Sequence, residues 1–384
     1  MAEEFIIKNI DKGPELVTIT LETGVSFEYL NIWLRDNCHC SECYNSETYQ
    51  RLLDTFSIPD DIHVKDIKQS AKGIEVAWSD NHNSIYNLQW LSNHTRGVTN
   101  SELTKKDLFP KQILWSTDII KNQIPKVEYK DVLSKKSKDF YNNIHKYGFT
   151  FIDNVPVSPE DTEKLCDSIG YIRVTHYGGF WDFTTDLAMK DTAYSEIEIP
   201  SHTDGTYWEY TPYLQLFHLL FHDGEGGNTT LVDAFKCAED MKREYPDHYK
   251  FLSTQKVDCH SLGDVYLAQS KPIFIHNDEG ELIQVSWNNS DRSSNFGASN
   301  QDLQMFYESI KIWNEIIHRD ENVLNHRLKP GQALIFDNWR CLHARIGITT
   351  GKRRMCGAYF DKEDFQSTLR MINTDSQQKL FESL

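Results

Sequence analysis

Hydrophobic positions along most of this chain fall into short runs and two-residue alternations rather than long helical stripes. Near the N-terminus, Phe5-Ile6-Ile7, Leu16–Leu21, Val25-Ser26-Phe27, Ile74–Trp78 and Ser84–Leu88 read as short strands, with turns at Glu22-Thr23-Gly24 and Ser79–Asn83. They predict a small β-rich unit over residues 1–100. The polar stretch that follows, broken by Pro110 and Pro125, predicts a linker over 101–125. Asp131–Lys146 places Val132, Phe140 and Ile144 at helical spacing, and Gly148 precedes a strand at Phe149–Ile152. Ser158-Pro159-Glu160-Asp161 reads as a helix start, with a capping hydroxyl, Pro in the first turn and acids against the dipole; Gly170 reads as its end. Farther on come strands at Leu214–Phe221, Thr229–Asp233, Pro272–Ile275, Leu282–Trp287, Ala333–Phe336 and Met355–Phe360, with helices at Ala234–Glu244 and Asp302–His318. That order predicts a mainly β protein with flanking helices, a barrel or sandwich occupying 126–384. No internal repeat is visible.

Composition narrows the class. The 384 residues are 39% hydrophobic and 25% charged, as in a globular protein. A formal charge of −17 argues against a nucleic-acid backbone and against an anionic membrane surface as partners, and it tolerates a cationic substrate. No apolar run reaches the roughly 20 residues that span a bilayer. Met1-Ala2-Glu3-Glu4-Phe5 lacks the features of a signal or transit peptide, so a cytoplasmic location is expected, with import into mitochondria without a visible presequence left open. The 18 Tyr and 9 Trp exceed what a core requires, and such side chains also grip ligands.

Two clusters carry candidate chemistry. Cys38-x-Cys40-x-x-Cys43 lies between the predicted strands, and the later turn offers His82, with His39 as the rival fourth ligand. Three thiolates and one imidazole close a tetrahedral Zn2+ site with no open position, which makes it structural. The second cluster is His202-Thr203-Asp204 with the distant His343, a 2-His-1-carboxylate set that holds one face of Fe(II) and leaves three positions open. On an extended strand residues 202 and 204 point to the same side. His276-Asn277-Asp278 repeats the spacing but runs into Glu279-Gly280 between apolar runs, which reads as a hairpin turn. An iron of this kind needs an electron-supplying oxo acid; Arg353, ten residues past His343, and Thr229, after Gly226-Gly227-Asn228, are candidates for its far carboxylate, the alternatives being a surface Arg and a turn Thr. Tyr177-Gly178-Gly179-Phe180-Trp181 with Asp191–Tyr194 supplies aromatic faces suited to a quaternary ammonium, or to simply covering a barrel mouth.

Taken together, Trp33–Cys38 with Cys40, Cys43 and His82, then His202-Thr203-Asp204, Gly226-Gly227-x-Thr229, Asp337-Asn338-Trp339-Arg340-x-x-His343 and Arg353, resemble over nearly the whole length the 2-oxoglutarate- and Fe(II)-dependent dioxygenases of carnitine biosynthesis. These are a branch of the taurine dioxygenase-like superfamily. The resemblance implies a double-stranded β-helix (jelly-roll) catalytic domain behind a small zinc-binding domain. It implies Fe(II) on His202, Asp204 and His343, 2-oxoglutarate on Arg353 and Thr229, O2 as co-substrate, ascorbate as activator and a homodimer. Within the family, Thr48–Arg51, Thr55–Pro59, Ile172-Arg173-x-Thr175 and Asp191–Tyr194 are closer to the branch that hydroxylates Nε-trimethyllysine at C3 than to the branch acting on γ-butyrobetaine. On this reading Tyr177, Trp181, Tyr194 and Tyr359 hold the trimethylammonium, and Asp191 and Asn288 hold the amino-acid end. Gly205, His176 and Phe180 depart from the family's pattern. An aromatic cage alone also fits a non-catalytic module that binds methylated lysine; Arg353 behind a metal triad separates the two.

Overall fold

The computed structural model describes residues 6–94, 109–134, 137–184, 198–294, 299–348 and 350–374. The chain divides into two compact units, the second being Phe109–Asn373. Its start falls inside the stretch expected to be a linker. There Ile113 N–H donates to Lys146 O at 2.8 Å, and Trp115 is fully buried, its ring donating to Tyr147 O at 2.6 Å. An indole that can be buried against a core anchors a segment whose polarity alone reads as connecting chain.

The N-terminal unit contains two three-stranded antiparallel sheets, Ile7–Lys12/Leu16–Leu21/Ser26–Leu30 and Val64–Ser70/Gly73–Trp78/Asn83–Tyr86. One buried cluster joins Val17, Ile19, Phe27, Ile74, Val76 and Trp78. The strand at Val64–Ser70 and the helix at Asn31–Asp36 were not apparent from the pattern. In the former, exposed Lys65, Asp66 and Lys68 mask the alternation.

In the second unit, β1 (Lys126–Glu128), β2 (Phe149–Asp153), β3 (Trp181–Thr184), β4 (Ile199–His202), β5 (Leu214–His222), β6 (Thr229–Asp233), β7 (Leu324–His326), β8 (Gln332–Asp337), β9 (Cys341–Arg345) and β10 (Arg353–Phe360) build two sheets. The larger runs β3-β10-β5-β8-β2-β1, and the smaller β4-β9-β6-β7. Helices α1 (Lys138–Tyr147), α2 (Pro159–Ile169), α3 (Ala234–Glu244), α4 (Pro246–Thr254), α5 (Asn300–Ile317) and α6 (Lys362–Asn373) lie outside them. Ser158 caps α2 through Asp161 N–H, as the sequence predicts. The helix expected over 131–146 is instead Tyr129–Leu133 followed by α1, because Ser137 starts a new cap on Phe140 N–H.

Strand periodicity sorts each residue to a face. On the larger sheet Leu214, Leu216, Ala333, Ile335, Ala358 and Phe360 pack under α1, α2 and α6 with Phe140, Leu165 and Phe365. The alternate residues face the smaller sheet, where Phe149, Phe151, Leu219, Leu334 and Phe336 meet Leu231, Leu324 and Cys341. The outer side of the smaller sheet, Val232 and Leu342, packs under α3, α4 and α5. This is the sandwich with external helices that the order of strands predicts. Among the described residues, no helix is long and apolar enough to cross a membrane.

A buried ion pair ties these layers. Arg340 and Asp233, both side chains fully enclosed, meet through Nε–Oδ1 at 3.0 Å and Nη2–Oδ2 at 2.7 Å. Arg340 also donates to Lys146 O and Ile113 O, and Asp233 accepts from Trp115 N–H and from the first amides of α3. Every polar atom finds partners, which offsets the desolvation of two charges. Asp233→Asn would leave the guanidinium without a counter-charge, and we expect a loss of about 3–5 kcal/mol, read as a lower denaturant midpoint for the second unit.

Candidate active site

His202 closes β4 and His343 lies mid-way along β9, and the antiparallel register places the two directly opposite. Opposed residues share a face, so the rings meet with centroids 4.1 Å apart. Strand β4 ends at His202, and Asp204 sits just beyond it rather than on the extended strand the spacing suggested. Its backbone is clamped instead: Asn338 Oδ1 accepts from Asp204 N–H at 2.8 Å, and Asn338 Nδ2 donates to Asp204 O at 3.0 Å. Asp204 Oδ1 then lies 3.0 Å from His202 Nε2 and 3.8 Å from His343 Nε2.

The three ligand atoms lie within 4.8 Å of one another. Their surroundings fit a metal. Asp204 Oδ2 accepts from Gln215 Nε2 at 2.7 Å and from Tyr359 O–H at 2.5 Å, which leaves Oδ1 turned to the imidazoles. His202 Nδ1 pairs with Pro200 O at 2.8 Å, which aims Nε2 inward. Burial would raise the Asp204 carboxyl, but His343 and His202 outweigh it and hold it far below the usual range. Burial and the neighbouring His202 push His343 down to about 3. An ionised carboxylate and a neutral His343 are the states a metal requires; burial would lower His202 too, but Asp204 outweighs it and raises it, and a bound cation would replace that proton.

A pocket opens onto this triad. The inward positions of β10 supply Arg353, Met355 and Tyr359, those of β5 Gln215 and Phe217, and those of β3 Trp181 and Phe183; β6 adds Thr229 and β9 Arg345. Thr229 pairs in register with Arg345. Arg353 is buried, and among the described residues no carboxylate pairs with it; burial and then the Arg345 charge lower its guanidinium to about 9. A site that holds two cationic side chains in low dielectric is matched to a dianion.

The aromatic part is also present. Trp181 and Tyr359 meet edge to face at 4.4 Å, and the Tyr177 hydroxyl lies 3.0 Å from that of Tyr207. Asn288 lines the same pocket. Asp191 and Tyr194, expected here from the sequence, lie outside the described residues. Tyr207, Gln215, Arg345 and Asp291 line the pocket too, and the sequence reading did not single them out. Gln215 and Arg345 had a legible signal, a polar residue at the inward phase of an apolar strand; Tyr207 and Asp291 lie in irregular chain and had none. His276, by contrast, belongs to a hairpin closed by Asn277 N–H to Glu281 O at 3.0 Å, with its ring on the Tyr249 hydroxyl.

In the N-terminal unit, His82 Nε2 stands 3.3, 3.5 and 3.5 Å from the sulfurs of Cys38, Cys40 and Cys43. A tetrahedron with Zn–S and Zn–N bonds of ordinary length separates S from N by about 3.5 Å. The four side chains therefore fit zinc, while His39 packs on Tyr44 and Trp90. Arg35 joins the site, donating to Cys43 Sγ at 3.4 Å and to Asp80 Oδ2 at 2.7 Å.

Residues 107–359 match the model of the taurine catabolism dioxygenase TauD, TfdA family. The chain belongs to this family. Residues 8–92 of this TauD-family dioxygenase match a second model, gamma-butyrobetaine hydroxylase-like, N-terminal. A trimethyllysine dioxygenase of Meyerozyma guilliermondii is 47% identical, with 97% of each chain covered. The human protein named trimethyllysine dioxygenase, mitochondrial, is 36% identical over 91% of this chain and 83% of its own. A gamma-butyrobetaine dioxygenase of Pongo abelii is 27% identical, over 90% and 91%.

Glycine at position 205 has a structural reason. Its φ is +73°, and a Cβ there would stand 2.2 Å from Trp208 Cε3. Gly205→Ala should push Trp208 off Tyr207 and lower turnover roughly tenfold with metal content unchanged, measured by steady-state kinetics and elemental analysis. Chelation of zinc, or Cys43→Ser, should lower the unfolding midpoint of the N-terminal unit, and re-addition of Zn2+ should restore it only in the unmutated chain, read by calorimetry.

Proposed function

We propose that this chain hydroxylates Nε-trimethyllysine at C3, using Fe(II), 2-oxoglutarate and O2, with succinate and CO2 as co-products. The observation that carries the reading is one pocket holding the His202–Asp204–His343 triad, a buried guanidinium at Arg353 and an aromatic wall. The 47% identity to a relative named trimethyllysine dioxygenase supports the substrate.

His202 Nε2, His343 Nε2 and Asp204 Oδ1 would hold the iron, with Gln215 and Tyr359 keeping the carboxylate turned. Bound there with oxo acid and O2, iron supplies an oxidant strong enough to take hydrogen from an unactivated C–H bond. That chemistry would not by itself choose among C–H bonds, so the protein's task is aim. Arg353 and Thr229 would take the far carboxylate of 2-oxoglutarate. Tyr177, Trp181 and Tyr359 would fix the trimethylammonium through their π faces, with Tyr194 as a further wall. Asn288 and Asp191 would hold the amino-acid end. Gripping both ends of the substrate decides which carbon meets the metal. Ascorbate as activator, a homodimer and a cytoplasmic location complete the proposal and rest on the sequence reading.

Protein supplied with Fe(II), ascorbate and 2-oxoglutarate should release succinate in step with trimethyllysine consumed. Turnover of γ-butyrobetaine alone would overturn the substrate, and no turnover of either would favour a methyl-lysine-binding module. Trp181→Leu should raise KM for trimethyllysine about tenfold; an unchanged KM would remove Trp181 from the cage.

A further inference from the structure

We infer that Arg173 is a positioning residue for the quaternary-ammonium end of the substrate, one that sets the tyrosines of the aromatic wall through the ring of Trp208. The inference rests on the hydroxylase reading above and adds to it the group that fixes how the wall is spaced.

Tyr177, Tyr207 and Tyr359 line the pocket from three separate segments of chain. Half-buried Trp208, which does not itself line the pocket, meets all three edge to face, with ring centroids 6.3, 5.0 and 6.0 Å away. One ring therefore sets the placement of three. Trp208 lies in irregular chain, where no strand ladder fixes its aim, and side-chain donors hold the loop instead. Lys271 Nζ donates to Trp208 O at 2.6 Å and to Thr211 Oγ1 at 3.1 Å, and Trp339 Nε1 donates to Thr211 O at 3.0 Å. Arg173 is the donor that also reaches the strand of Tyr359. Its backbone N–H donates to Tyr359 O at 2.9 Å, while Nη1 donates to Asp361 Oδ1 at 2.8 Å and Nη2 to Tyr210 O at 2.5 Å. The guanidinium carbon lies 5.8 Å from the centre of the Trp208 ring, within cation–π range. Arg173 thus ties the end of β10 to the loop of Tyr207 and Trp208. A planar fork makes both side-chain bonds while lying over a ring, which an ammonium on a flexible stem does not reproduce. Tyr359 is held by the ladder between β5 and β10, so loss of the fork moves the Trp208 side and turns the tyrosine faces away from the cation they hold.

The test uses the full-length protein, loaded with Mn2+ for binding and with Fe(II) for turnover. Arg173→Gln should weaken trimethyllysine binding, read by calorimetry, and raise its KM, each about fivefold, with Mn2+ affinity and the KM for 2-oxoglutarate within about twofold of the unmutated protein. Arg173→Lys keeps the charge and loses the fork, and should behave as Arg173→Gln does. Trp208→Leu should weaken trimethyllysine binding at least as much, and adding Arg173→Gln to it should cost little more, because residues that act through one another are not additive. If Trp208→Leu does not fold, Asp361→Asn decides the matter: it frees the guanidinium on one side and should show a smaller loss confined to trimethyllysine. Full rescue by Arg173→Lys, additive losses, equal losses for trimethyllysine and 2-oxoglutarate, or no loss would overturn the assignment while the hydroxylase reading stands. Failure of the unmutated protein to bind and hydroxylate trimethyllysine would overturn both.

Discussion

The pairing of β4 with β9 in one register is the constraint on which the site depends. Histidines separated by 141 positions become direct neighbours because His202 and His343 are opposed across two antiparallel strands. A slip of one residue would turn His343 outward, to where Leu342 now packs under the helices, and the metal set would lose a member. The register is held at more than one point. Leu231 on β6 pairs with His343 from the other side, and the Arg340–Asp233 pair fixes the start of β9 to the end of β6.

The space between the sheets is divided between stability and chemistry. At one end it is filled with Phe149, Phe151, Leu219, Leu334 and Phe336. At the other, the same inward phase carries Gln215, Thr229, His343, Arg345, Arg353 and Tyr359. Burying that many polar groups costs stability unless each is matched. Asp204 is matched by donors on its outer oxygen, and burial, followed by the Arg345 charge, lowers the Arg353 guanidinium. Their mutual repulsion is relieved by an incoming dianion, so the arrangement favours an occupied site.

The N-terminal unit solves a different problem with the same economy of residues. Its sheets are small, and a Cys3His cluster fastens the end of the Asn31–Asp36 helix to the turn between Gly73–Trp78 and Asn83–Tyr86. Asn81, at φ +67°, makes the tight turn that presents His82. Metal binding of this type contributes directly to folding where a core is limited.

The sequence by itself determined the alternation that assigns each strand a face, the caps of the helices and the chemical types grouped at Cys38–Cys43, His202–Asp204 and His343. Local periodicity and capping depend on near neighbours, so they can be read in one dimension. The pocket-lining Gln215 and Arg345 were within reach of the same logic, because both occupy the inward phase of a strand. Tertiary structure decided the rest. It drew Trp115 out of an expected linker into the core, and brought Tyr207 and Asp291 to the pocket from irregular loops. None of these follows from spacing along the chain, since each rests on which distant surface a side chain meets once the sheets have paired.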